Sequence, residues 1–154
     1  RVRITSNGLT FNGDTAAANA LNDYEEGTWT PKAADAISGG GWNTTGSGSY
    51  TKIGNFIRVT GAITNIDTTG MASGNVLYIQ GLPFASGDIA GATAYFATGG
   101  VFAASITVSS ALQTRINDTG VSALLFFDTG GNIKVSDLIS SATDFYFTAI
   151  YQTT

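Results

Sequence analysis

Two Asp-Thr-Gly tripeptides, Asp118-Thr119-Gly120 and Asp128-Thr129-Gly130, are the first residues in this chain to invite a chemical reading. An aspartyl dyad needs two carboxylates about 3 Å apart that share one proton. Here the two aspartates flank the apolar run Val121 to Phe127. About ten residues of strand rise roughly 33 Å, so they fall at opposite ends of one strand. The tripeptide is also an ordinary hairpin turn. Glycoside hydrolysis needs two carboxyl groups about 5–5.5 Å or about 6.5–9.5 Å apart on one substrate. Glu25 and Glu26 are neighbours on an extended chain and point to opposite sides, and most other acids stand where turns and caps are expected. With no Cys and no His, the thiolate nucleophile, the commonest general base and the usual zinc ligands are missing. Asp128 to Asn132 and Asn65 to Asp67 put oxygen ligands on turns, which leaves calcium open there, but neither gathers enough carboxylates to assign it. No catalytic residue, metal or cofactor is assigned, and the chain is not expected to be an enzyme.

Binding is the better prospect. Charged residues are 12% of the chain, about half the usual share, and the net charge is -4. Apart from Arg1 and Arg3 the basic residues are scattered singly, which argues against nucleic acid. No apolar run approaches the ~20 residues of a bilayer span, so no membrane insertion is expected. A surface of hydroxyls and amides suits sugars. Trp42 and Tyr95 are the candidate rings for stacking a sugar, with Asp67 and Asp88 as candidate acceptors for its hydroxyls. Trp42, beside Gly39-Gly40-Gly41, reads equally as a ring tucked back onto the core.

The elements that must position these residues are strands. From Phe56 the sequence alternates, with Ile57, Val59 and Ile63 on one face and Phe56, Arg58 and Thr60 on the other. Gly61 leaves a gap on the first face. Gly54-Asn55 is a tight-turn pair, so Tyr50 to Ile63 reads as a hairpin. A strand is expected over Asn75 to Gln80, ended at Pro83, and another over Ala92 to Ala97, turning at Gly99-Gly100. In Val101 to Ser109 the alternation predicts Phe102, Ala104, Ile106 and Val108 inward; in Leu112 to Asn117 it separates Leu112, Thr114 and Ile116 from Gln113, Arg115 and Asn117. Arg1 to Gly13 alternates weakly (Val2, Ile4, then Leu9 and Phe11) about Asn7-Gly8 and reads as a short hairpin or an extended arm, followed by a helical turn from Asp14-Thr15 to Leu21.

Val121 to Phe127 and Phe145 to Tyr151 are apolar on both faces. A two-layer sandwich leaves the outer face of each sheet to water, so these strands call for a second cover. Loops lying over them would serve; contact between copies of the chain is the simpler expectation, through Leu124, Phe126, Tyr146 and Ile150. The fold class is all-β: an antiparallel, jelly-roll-like β-sandwich of about nine to ten strands at intervals of about 8–12 residues. Residues 1–27 form an N-terminal arm and 28–154 the head.

The string Leu21-Asn22-Asp23-Tyr24-Glu25-Glu26-Gly27-Thr28-Trp29-Thr30-Pro31 is followed by Tyr50-Thr51-Lys52-Ile53-Gly54 and Gly81-Leu82-Pro83-Phe84. Together they resemble the C-terminal domain of bacteriophage tail fibres and tailspikes. That family carries Leu-Asp-Asp-Tyr-Glu-Glu-Gly-Thr-(aromatic)-Thr-Pro, then Tyr-x-Lys-Ile-Gly, then Gly-Leu-Pro-Phe. Asn22 replaces the usual Asp, and the likeness is loose after about residue 84. It implies a homotrimeric head at the tip of a fibre on the virion, outside the cell. Such a head aids assembly and in some cases binds a host polysaccharide or lipopolysaccharide. Tyr24 and Trp29 then become candidate anchors between subunits. The chain begins at Arg1 rather than Met and is expected to be a piece of a longer protein. The alternative is a carbohydrate-binding module, or a small carbohydrate-active enzyme, of a secreted hydrolase.

Overall fold

The computed structural model describes residues 2–6, 8–12, 15–16, 21, 23–87, 99–116 and 122–153. In chain order these form β1 (Val2–Thr5), β2 (Gly8–Phe11), β3 (Tyr24–Trp29), β4 (Lys32–Ala34), β5 (Thr44–Thr45), β6 (Ser47–Ile53), β7 (Phe56–Ile63), β8 (Tyr78–Gln80), β9 (Val101–Ala104), β10 (Gln113–Arg115), β11 (Ala123–Asp128), β12 (Gly131–Asn132) and β13 (Asp144–Gln152). One 3-10 turn lies at Val135–Asp137. The chain is all-β, and every strand pairing among the described residues is antiparallel.

One large sheet runs β3-β6-β7-β13-β9; the other runs β10-β11-β8-β4-β5, with β12 beside β11. They pack face to face in a sandwich-like arrangement. The shared core takes Ile57, Val59, Ile63, Phe145, Phe147 and Tyr151 from the first sheet, and Ala33, Ile79, Leu124 and Phe126 from the second. Phe126 lies at its centre, its ring centroid 4.6 Å from that of Phe145 and 5.4 Å from that of Phe147.

The β6–β7 hairpin forms as its alternation requires, with Ile53 opposite Phe56 and Gly54 at φ +61° in the turn. The gap at Gly61 is filled from below. A Cβ there would overlap the Phe147 ring, while the register with β6 and β13 continues unbroken past it. The β1–β2 hairpin also forms, and its apolar side bears Val2, Ile4 and Phe11, all exposed. The expected helical turn falls largely on residues outside the described ones; Leu21 at its end is bridged to Leu9 by two backbone hydrogen bonds. The strand expected over 92–97 also lies outside the described residues. β3 runs through residue 27, where the arm was expected to end.

Two expectations are overturned. In β9 the faces are reversed: Val101 and Ala103 pack on the core, while Phe102 is 66% exposed. β13 sets this parity by pairing Phe102 with its outward Tyr146 and Val101 with its inward Phe147. Beyond Ala104 the strand stops at Ser105, whose φ of +55° breaks the extended run, and Val108 is exposed.

The second correction concerns cover. Trp29, Leu124 and Phe126 are not subunit anchors, because all three are buried in the core of the single chain. Trp29 donates its indole N–H to the Thr60 carbonyl at 2.8 Å and meets Phe147 edge to face. On the outward side of the second sheet Ala34, Ala123 and Leu125 are buried too. A loop of the same chain lies on this side, against Gln80, the strand partner of Ala123. Gln80 donates from its amide to the carbonyls of Ala36 (2.6 Å) and Gly39 (2.9 Å). Asp35 pins the same loop by accepting from the Gly41 N–H at 2.6 Å, the Ala72 N–H at 2.8 Å and the Asn75 amide at 3.3 Å. Nearby, the Arg115 guanidinium stands 4.9 Å from the Phe127 ring centroid.

Candidate binding face

Among the described residues, the outer side of the five-stranded sheet has no such cover. Register places its outward residues in four rows across the strands: Tyr24, Ile53, Phe56, Gln152; then Glu26, Thr51, Arg58, Ile150; then Thr28, Ser49, Thr60, Thr148; then Ser47, Ala62, Tyr146, Phe102. The first row is an exposed apolar edge, continued by the exposed Ile150 in the second. The third is a line of hydroxyls. The fourth passes from small residues to two exposed aromatic rings, Tyr146 and Phe102, whose centroids are 6.1 Å apart.

Where the third and fourth rows meet, small side chains beside large ones leave an open groove of about 820 Å³. Ser47, Ser49, Thr60 and Ala62 line one part, and Phe102, Tyr146 and Thr148 the other. Its floor is the Gly48–Gly61 pair, held up from the core side by Trp29 and Phe147. The Ser49 and Thr60 hydroxyls bond each other at 2.8 Å, and the Thr148 hydroxyl accepts from the Gly100 N–H at 3.3 Å. No charged side chain lines the groove.

The described candidates for sugar binding lie elsewhere. The Trp42 ring is exposed, with the Lys32 ammonium 4.3 Å above it. Its neighbours Asn43 and Thr44 bond the loop that carries Asp67, through the Thr69 carbonyl and the Asp67 N–H. The Asp67 carboxylate is occupied by the Thr69 N–H at 2.9 Å, which holds it below the ordinary carboxyl range. Tyr95 and Asp88 lie outside the described residues. Of the expected subunit contacts, Tyr24 is 57% exposed, and Tyr146 and Ile150 are exposed on the same face. Phe102, Ser49, Thr60 and Thr148 were not singled out by sequence. The alternation of β7 already sends Thr60 outward, but only the register joins it to Ser49 and Thr148.

Several described carboxylates serve the scaffold. Glu25 accepts from Tyr50 and Glu26 from Tyr24, on opposite sides of β3, and each raises its tyrosine's pKa, chiefly through the hydrogen bond. Asp128 holds the β11–β12 turn by accepting from the Ser109 N–H (2.6 Å) and the Gly130 N–H (2.7 Å), and is lowered chiefly by the first. Among the described residues no group of three His, Cys, Asp or Glu side chains converges on a metal site.

The three strings behind the tail-fibre resemblance come together in space. β3 and β6 pair along their length, and Tyr50 lies across Gly27, where a Cβ would stand 2.8 Å from its ring. Lys52 pairs with Asp23, and the Gly54 N–H donates to the Asp23 carbonyl at 2.8 Å. Phe84 meets Tyr50 edge to face at 5.4 Å, and its carbonyl accepts from the buried Tyr151 hydroxyl. Gly81, at φ +92°, sits where a Cβ would be 2.7 Å from the Thr30 carbonyl. The strings therefore form one interlocked corner, with a structural role. No protein-family model matches the chain, and no curated protein is detectably similar to it in sequence.

Proposed function

We propose that this chain is the trimeric, jelly-roll-like C-terminal head of a bacteriophage tail fibre or tailspike, a structural and host-recognition module at the fibre tip, outside the cell. The observation that carries the reading is the bare outer face of the five-stranded sheet, with Tyr24, Ile53, Phe56 and Ile150 exposed together at one end. Contiguous exposed apolar surface of this kind marks a contact with another molecule. The β1–β2 hairpin adds to it. A two-stranded hairpin is marginal in water, and Val2, Ile4 and Phe11 on its apolar side are exposed in the single chain. Further copies of the chain would cover both. The interlocked corner supports the tail-fibre resemblance, because it gives three separated strings one physical reason to occur together.

Light scattering on the purified protein tests the reading: a mass three times the 15.8 kDa chain is expected, and a stable single-chain mass overturns it. A second reading, a carbohydrate-binding module of a secreted hydrolase, is favoured by the uncharged groove alone. It predicts a monomer.

A further inference from the structure

We infer that the groove between the hydroxyl row and the Phe102–Tyr146 pair is a binding site for an uncharged saccharide chain. The inference rests on the host-recognition half of the function proposed above, read as recognition of a glycan, and does not need the trimer. Its two rings are exposed and adjacent, so they present flat apolar surface against which the C–H face of a sugar ring can lie. Beside them stand groups that match sugar hydroxyls. The Ser49–Thr60 pair uses one hydroxyl hydrogen internally and leaves the other free. Thr148 accepts from Gly100 and keeps its own hydrogen, and the Tyr146 hydroxyl has no hydrogen-bond partner among the described residues.

Other ligand classes fit less well. A polyanion, nucleic acid included, needs Lys or Arg at the contact, and none lines the groove. The same absence disfavours uronic and sialic acids. A wholly apolar ligand would strip water from the hydroxyl row and give it no partner. On β7 the groove begins at Thr60, four residues or about 13 Å from Phe56, so subunit contact confined to the Tyr24–Ile53–Phe56 row leaves it open.

The test is a glycan array carrying neutral maltotetraose, mannotetraose and chitotetraose beside acidic oligogalacturonate and sialyllactose, followed by calorimetry on the strongest probe. Neutral probes are expected to bind. Phe102→Ala and Tyr146→Ala should each weaken binding roughly tenfold or more, and Thr60→Val severalfold, with melting temperature and molecular mass unchanged. Binding of acidic probes alone, of no probe, or with equal strength by all three variants overturns the inference. A fall in mass on Tyr146→Ala overturns it too, since the groove would then be a contact between copies. A monomeric wild-type protein that still binds a neutral probe removes the fibre-head reading and leaves the groove standing.

Discussion

The second sheet and the five-stranded sheet pose the same problem and solve it differently. β11 and β13 each carry apolar residues on both sides, and in each the inner side fills the shared core. Outside β11 Ala123 and Leu125 are buried within the single chain, and the loop pinned by Asp35 and Gln80 lies on that side. Outside β13 no described segment is folded back, and Tyr146 and Ile150 stay exposed with Phe102, Phe56, Ile53 and Tyr24 across the sheet. A strand apolar on both faces needs two covers, but its sequence is silent on whether the second is a loop of the same chain or another molecule.

The largest effect that would break this comparison comes from the shared core. Phe126→Ala should cost about 3–5 kcal/mol in urea unfolding, because the cavity lies between both sheets with little room to collapse. A loss of less than about 1 kcal/mol would mean that Phe126 is not the centre described. Next comes the self-made cover. Asp35→Ala strands two backbone N–H groups of the loop and should cost about 1–3 kcal/mol.

The same aspartate sharpens the comparison through pH. Its carboxyl is held below the ordinary 3.8, chiefly by the Ala72 N–H. A carboxyl depressed in the folded state adds stability above its unfolded value, and that stability is lost as pH falls through the lower folded value. The wild-type protein should therefore lose stability below about pH 4, and Asp35→Asn should flatten that acid limb. Half-buried Asp67 and Asp128 act in the same direction, so some slope remains. An unchanged limb would remove Asp35 from the account. The smallest effect on the fold belongs to the bare face. Phe56→Ser should change the stability of the separated chain by no more than about 0.5 kcal/mol, while lowering the mass seen by light scattering.

The sequence made some of this legible and hid the rest for physical reasons. The β6–β7 hairpin could be read directly, since a two-residue turn and a period of two are local signals. Phe102 could not. Its face depends on which residue of β13 it meets, and the alternation over Val101 to Ser109 is interrupted by the left-handed backbone at Ser105. Asp35 stands out in the sequence only as an acid away from an expected turn or cap, because its partners Ala72 and Asn75 come from a loop far along the chain. The groove is a product of register: Ser49, Thr60 and Thr148 are unremarkable singly and become a row only when β6, β7 and β13 pair. Trp42 attracted notice as a large ring among glycines, yet what lies over it is Lys32.

Hydroxyl-radical footprinting across a dilution series tests the central contrast most directly, since Tyr24, Phe56 and Phe126 can be followed in one sample. Phe126 should stay unlabelled throughout, while Tyr24 and Phe56 should be protected at high protein concentration and become labelled as the copies separate. Tyr24 and Phe56 labelled fully at every concentration, with a single-chain mass, would contradict the account.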